Sequence, residues 1–132
     1  MKLASLILLG TFAFAQQYTG VATSKQLMAG IQKPSMDSLA AMMKAGGPKD
    51  EKEWEAAQQH AAVLAETAQL LLMGTRPLDQ DVWVKTSNRL QQAAVVSMKA
   101  AESKDVTAWK ASLGNMGGAC KGCHNVHKKP KQ

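Results

Sequence analysis

The 132-residue chain has few aromatic residues, only two cysteines and no long apolar segment. Its three tryptophans, one tyrosine and two phenylalanines are not interleaved with basic residues, so we expect no nucleic-acid partner despite a net charge of +6. No segment approaches the roughly 20 apolar residues of a transmembrane helix, so no membrane span is expected. No segment alternates like a β-strand, which leaves helices as the predicted secondary structure.

The first 15 residues have the features of a secretory signal peptide. Lys2 provides the positive start, residues 3–14 are a short apolar run, and a small-x-small cleavage site ends at Ala15. We therefore expect cleavage after Ala15 and export, which in a bacterium means the periplasm. Residues 16–23 are predicted to be a loose leader, and residues 24–132 a single folded domain.

Apolar side chains recur at steps of three and four residues in four segments, which predicts four amphipathic helices. The first helix is predicted to begin at Ser24 as its cap and to end at Gly46-Gly47-Pro48. Pro34 should kink or divide it, because proline removes one backbone donor. The second helix is expected to begin at about residue 48 or 49, and Gly74 to close it.

The third and fourth helices are predicted from their aspartate caps and apolar stripes. Asp79 or Asp81 can cap the third helix, and Asp105 can cap the fourth. Short connections between four such helices predict an all-α, antiparallel up-down-up-down four-helix bundle. The inward stripe of the fourth helix is predicted to comprise Val106, Trp109, Leu113, Met116, Cys120 and Cys123.

The chemistry of the chain is concentrated near its C-terminus, in the pattern C-x-x-C-H formed by residues 120–124. Cys120 and Cys123 lie three residues apart on one helix, so each thiol can add to a vinyl group of haem. His124 follows Cys120 by four residues and can bind the haem iron. The pattern predicts one covalently attached haem c, bound near the C-terminal helix.

Other interpretations of the two cysteines require partners that the sequence does not offer. A structural zinc site needs four ligands, and the only histidines outside the motif are His60 and His127. A thioredoxin-like dithiol belongs to a chain of alternating strands and helices. A disulfide between Cys120 and Cys123 would close too small a loop to stabilise much, and would leave His124 unexplained.

With this motif on the last of four helices, the chain resembles the class II c-type cytochromes, namely cytochrome c′ and its low-spin relatives. The resemblance covers essentially the whole mature chain. It implies that Cys120 and Cys123 form thioether links to haem and that His124 is the proximal iron ligand. Lys128 stands four positions after His124, where the family commonly has arginine.

The sixth iron ligand separates the two branches of that family. An apolar residue of the first helix leaves an open iron that binds gases in cytochrome c′, whereas a methionine binds the iron in the low-spin relatives. Residues 24–28, which read Ser-Lys-Gln-Leu-Met, resemble the first-helix pattern of the family, and Met28 is the candidate distal ligand. Met36 and His60 are the reserve candidates, and His127 is expected to be exposed in the basic tail.

The expected function is one-electron transfer by a non-enzymatic protein that meets redox partner proteins in brief encounters. The alternative is a five-coordinate, cytochrome c′-like protein that binds nitric oxide. A peroxidase would need a distal acid-base pair, and the first helix offers only four ionisable residues, namely Lys25, Lys33, Asp37 and Lys44. The resemblance also allows a homodimer through the first two helices.

Overall fold

The computed structural model of the protein describes residues 18–128, which form four helices and no strand. The predicted signal peptide, the start of the predicted leader, Lys129 and Lys131 lie outside the described residues. Within them, no helix is long and apolar enough to cross a bilayer. The helices are α1, which comprises Ser24–Leu27, a π-helical segment Met28–Gln32 and Lys33–Lys44, then α2 (Glu51–Leu70), α3 (Val82–Glu102) and α4 (Val106–His127).

The predicted four-helix bundle is confirmed. Residues 45–50, 71–81 and 103–105 connect the helices, and such short connections return each helix alongside the one before it. The turn after α1 requires glycine, because Gly46 and Gly47 have φ values of 97° and 116°. Their backbone N–H groups bond to the carbonyls of Met43 (3.0 Å) and Met42 (2.9 Å), which closes the last turn of α1.

Side-chain caps fix where the helices begin. Asp50 accepts a hydrogen bond from the backbone N–H of Glu53 at the start of α2, at 2.8 Å. Asp105 caps α4 as predicted, by accepting from the N–H of Ala108 at 2.9 Å. The cap of α1 is Thr23 and not the predicted Ser24, because Thr23 has extended backbone and forms a reciprocal capping box with Gln26.

All four helices contribute to one main apolar cluster. Its largest members include Leu39 from α1, Leu64 from α2, Leu90 from α3 and Trp109 from α4. Many of the other members are alanines, which let the helices approach closely, and a T-shaped contact between Trp109 and Trp54 at 6.1 Å joins α4 to α2. This cluster holds the bundle together along most of its length.

The π-helical segment explains how α1 stays on the core despite Pro34. The buried residues of α1 are Leu27, Gln32, Ser35 and Leu39. The spacing between the first two is five residues, and the spacings that follow are three and four residues, as in an ordinary α-helix. An i→i+5 hydrogen bond from Lys33 N–H to Met28 carbonyl accommodates the extra residue. Pro34 therefore follows a widened turn in a continuous helix, and Gln32 takes the inward position that the apolar pattern predicts for Ile31.

Replacing Leu64 with alanine tests the main cluster. Leu64 is fully buried, so Leu64→Ala should lower the free energy of unfolding by about 2–5 kcal/mol through lost burial and a cavity. Its neighbour Val63 is 41% exposed, and Val63→Ala is the matched control, with an expected change within about 0.5 kcal/mol. Urea denaturation of both variants measures the difference. Equal losses would contradict the assignment of Leu64 to the core.

Candidate functional site

A second apolar cluster, here termed the end cluster, lies where the start of α1, the end of α2, the start of α3 and the end of α4 meet. Side chains from all four regions pack there, so these helix ends share one end of the bundle. The end cluster brings the candidate ligand Met28 together with Cys123 of the C-x-x-C-H motif. Its buried members are Leu27, Leu71, Trp83 and Cys123, and Ala22, Met28, Ile31, Leu70 and Leu72 pack against them.

The C-x-x-C-H motif occupies the last two turns of α4. Cys123 is buried in the end cluster, at 8% exposure, and Cys120 is half-buried against the main cluster. Both cysteines are free thiols, and His124 beside them is exposed. The helix continues past the motif, since the N–H of Lys128 bonds to the carbonyl of His124 at 3.1 Å. The two cysteines therefore lie on the inward side of α4, as predicted.

Burial affects the chemistry of the first thiol. Desolvation raises the pKa of Cys120 above its ordinary value, and the neighbouring Cys123 adds a smaller contribution in the same direction. Cys120 therefore remains a neutral thiol at physiological pH.

The reserve ligands lie less favourably than Met28. Met36 packs against the main cluster, whereas Cys123 lies in the end cluster. His60 is half-buried on α2. Across residues 18–128, no group of three or more histidine, cysteine, aspartate or glutamate side chains is arranged to hold a metal ion. Within these described residues there is therefore no four-ligand set of the kind that a structural zinc site requires.

The residues at this end of the bundle fit a haem. Two free thiols and an imidazole lie within five residues of one helix, and the apolar side chains of the end cluster adjoin them. Met28 of α1 packs against the same cluster, and Gln32 lies about one turn further along α1. The amide Nε2 of Gln32 is buried and has no hydrogen-bond partner among the described residues. The site thus combines two free thiols, an imidazole and an apolar wall.

His127 was expected to be exposed in the basic tail, and this prediction is wrong. Its side chain is only 15% exposed, and its Nε2 lies 2.7 Å from Asp79 Oδ2, at ion-pair distance but without hydrogen-bond geometry. The imidazole also meets the ring of Trp83 edge-on, with centroids 5.6 Å apart. These contacts connect the last turn of α4 to the start of α3, three residues beyond His124.

Asp79 binds the N-terminus of α3 through its side chain, although Asp81 occupies the N-cap position, and it is also the partner of His127. Its Oδ1 accepts hydrogen bonds from the backbone N–H groups of Trp83 (3.0 Å) and Asp81 (2.8 Å). Trp83 is fixed in turn by a hydrogen bond from its Nε1 to the carbonyl of Leu71, at 2.8 Å. Of the two predicted caps, Asp79 is therefore the one whose side chain binds the helix N-terminus.

Arg76 is a residue whose role the sequence pattern does not indicate. It is buried, and it donates to the carbonyl of Ala22 from Nε (3.2 Å) and Nη2 (2.9 Å), and from Nη1 to the carbonyl of Leu70 (3.0 Å). Nη1 also donates to the hydroxyl of Tyr18 at 3.0 Å. A Cβ at Gly20 would lie 2.6 Å from the guanidinium, so glycine lets the backbone pass close by. Arg76 thereby binds residues 18–22 to the end of α2.

Comparison with solved structures finds a likeness to cytochrome c′ from Rubrivivax gelatinosus, with a TM-score of 0.62 and 23% sequence identity. The match covers 81% of this chain and 92% of that chain. Comparisons with protein-family models and with curated proteins find no match. At this level of identity the likeness shows the fold, so the protein has the four-helix architecture of a cytochrome c′. The resemblance expected from the C-x-x-C-H motif and its position is confirmed to that extent.

The pH dependence of stability tests the contacts of Asp79. The hydrogen bond from Trp83 N–H holds the pKa of Asp79 below its ordinary value of 3.8. Desolvation opposes this shift, and Asp81 N–H and His127 reinforce it. A carboxyl whose pKa is lower in the folded chain stabilises the fold above its unfolded pKa and loses this effect as pH falls through the folded pKa. The difference in unfolding free energy between wild type and Asp79→Asn should therefore shrink as the pH is lowered below about 4.

Chemical denaturation between pH 3 and pH 7 measures that difference. His127→Gln is the matched control, because it removes the imidazole and leaves the backbone hydrogen bond that has the largest effect on Asp79. We expect this variant to keep most of the pH dependence. A difference between wild type and Asp79→Asn that grows with acidification would contradict the assignment.

Proposed function

We propose that the protein is an exported c-type cytochrome that carries one electron through a haem attached to Cys120 and Cys123, with His124 and Met28 as its axial ligands. The observation that supports this proposal best is the packing of Met28 in the same cluster as Cys123. A group attached to Cys123 and bound from one side by His124 would have α1 on its other side.

The attachment is supported by the state and placement of the cysteines. Both are free, both lie on the inward side of α4, and no other cysteine exists in the chain to pair with them. The neutral Cys120 thiol is held among apolar atoms, close to where an apolar porphyrin edge would lie. His124 is exposed at the flank of the motif, so its imidazole is free to bind iron.

Met28 is supported as the second ligand by its position and by its neighbours. It is half-buried, and it is preceded by Leu27 and followed one turn later by Ile31, both of which belong to the end cluster. Ionisable side chains are absent from this part of α1 except for Lys25, which is exposed. A thioether is therefore the available iron ligand on this side of the cluster.

A bound haem supplies a one-electron Fe(III)/Fe(II) couple. His124 and Met28 together would occupy both axial positions, so substrates could not reach the metal. A thioether ligand favours the ferrous state, and the apolar side chains of the end cluster act in the same direction because they disfavour the extra charge of the ferric site. The Asp79–His127 and Trp83 contacts would hold the last turn of α4 still, which keeps structural rearrangement small during electron transfer.

The location and partners follow from the same proposal. Export of the chain by the signal peptide of residues 1–15 would place it in the periplasm, where haem is attached to c-type cytochromes. The partners would be other redox proteins, met in brief encounters that surface charge steers. Removal of Lys2 with the signal peptide lowers the net charge from +6 to +5, and this positive charge favours acidic partners. Analytical ultracentrifugation measures whether the chain forms the homodimer that its resemblance to class II cytochromes allows.

Replacing the cysteines tests covalent attachment. The denatured wild-type protein should have the mass of the mature chain plus one haem, and this species should retain haem absorbance in a denaturing gel. Cys120→Ala and Cys123→Ala should each lose one thioether link, and the double variant should lose covalent haem entirely. Haem that survives denaturation in the double variant would contradict attachment at this motif.

Replacing Met28 tests the axial ligand. Wild type should be low-spin in both oxidation states, and its ferrous form should resist carbon monoxide, because both axial positions are filled. Met28→Ala should be high-spin when reduced and should bind carbon monoxide promptly. Met43→Ala is the matched control, since Met43 is 41% exposed near the far end of α1, and it should behave as wild type. Prompt carbon monoxide binding by wild type would instead favour the five-coordinate, gas-binding function.

A further inference from the structure

Gln32 is a polar residue in a position that an apolar residue would ordinarily occupy. It is only 8% exposed, and its amide Nε2 has no acceptor among the described residues. A buried amide without a partner destabilises a fold, so the retention of such a group needs an explanation in terms of what it can bind.

The π-helical segment is what turns Gln32 inward. Leu27 and Gln32 are both buried although they lie five residues apart, a spacing that an ordinary α-helix would place on different faces. The hydrogen bond from Lys33 N–H to Met28 carbonyl creates this spacing. Segments of this kind occur frequently at functional sites, and here the segment begins at Met28 and ends at Gln32.

Gln32 follows Met28 by four residues, which is close to one turn of this π-helical segment. Residues four apart on a helix have Cβ atoms about 5–6 Å from each other. Helical side chains lean towards the N-terminus, so the side chain of Gln32 extends over the turn that contains Met28. The sulfur of methionine is a weak hydrogen-bond acceptor, and the amide of glutamine is a donor.

We propose that Gln32 is a positioning residue of the haem site, whose amide donates a hydrogen bond to the sulfur of iron-bound Met28. This inference rests on the proposed function. The hydrogen bond satisfies the buried amide, fixes the orientation of the thioether and withdraws electron density from the sulfur. Because a less electron-rich sulfur stabilises the ferric iron less, Gln32 raises the reduction potential of the haem.

The substitution Gln32→Met tests this role in the haem-loaded protein. Methionine keeps the unbranched shape and removes the donor, so the haem should remain attached and low-spin while the reduction potential falls. At a fixed applied potential the ratio of ferrous to ferric protein should drop by about threefold, which corresponds to about 30 mV for a one-electron couple. Spectroelectrochemical titration measures the ratio.

Ser97→Ala is the matched control. Ser97 is fully buried and its Oγ has no hydrogen-bond partner among the described residues, so this variant also removes an unpaired polar group from the interior. Ser97 lies 14 residues beyond Trp83 on α3, about 21 Å along the helix axis from the end cluster. Its removal should leave the reduction potential unchanged.

The outcomes separate this inference from the function on which it rests. A wild-type protein without covalent haem would refute the proposed function before any variant is compared. A high-spin wild-type haem protein would refute the proposed ligation by Met28 and the inference with it. A low-spin wild-type protein whose potential Gln32→Met leaves unchanged would overturn the role of Gln32 alone. A raised denaturation midpoint together with an unchanged potential would identify the amide as an unpaired group in an apolar core.

Discussion

The packing of the first turns of α1 against the last turns of α4 is the contact on which the site depends. Leu27 and Cys123 are buried in the same end cluster, and Trp83 and Leu71 close it from the other two helices. Without this contact the C-x-x-C-H motif would be two thiols and an imidazole on the surface of a helix. With it, apolar side chains of α1 pack in the same cluster as Cys123, as the proposed haem site requires.

The four-helix fold could be predicted from the sequence because its signals are local. Apolar steps of three and four residues, the glycines after α1 and the aspartate caps each act within a few residues, so Asp105 was identified directly. The predicted cap of α1 was wrong by one residue, because Thr23 and Ser24 can both cap a helix. The capping box with Gln26 selects Thr23. The inward position of Cys120 and Cys123 followed from the same periodicity.

Features that depend on contacts between distant residues could not be predicted in this way. His127 looks like part of a solvated basic tail, but Asp79 and Trp83, more than 40 residues earlier, bury it. Arg76 sits in a connecting segment, and its role appears only when Ala22 and Tyr18 are beside it. Gln32 was missed because a regular helix would have turned Ile31 inward. Pro34 predicts a kink or a break in the first helix, but it does not predict a π-helical segment before it.

The same end of the molecule therefore combines a rigid frame with a small set of chemically active groups. Asp79, Trp83 and His127 fix α4 to α3, and Arg76 fixes the segment before α1 to the end of α2. Within that frame, Met28 of α1 packs against the cluster that contains Cys123, and the buried Gln32 lies about one turn further along the helix. This division of roles fits a protein whose metal changes charge while its surroundings stay in place.

X-ray absorption at the iron edge of the purified protein tests the central claim most directly, because it counts the atoms bound to the metal. Iron held between α1 and α4 by Met28 and His124 should have one sulfur and five nitrogen neighbours in both oxidation states. A first shell with nitrogen neighbours alone, or a preparation that contains no iron, would contradict the account.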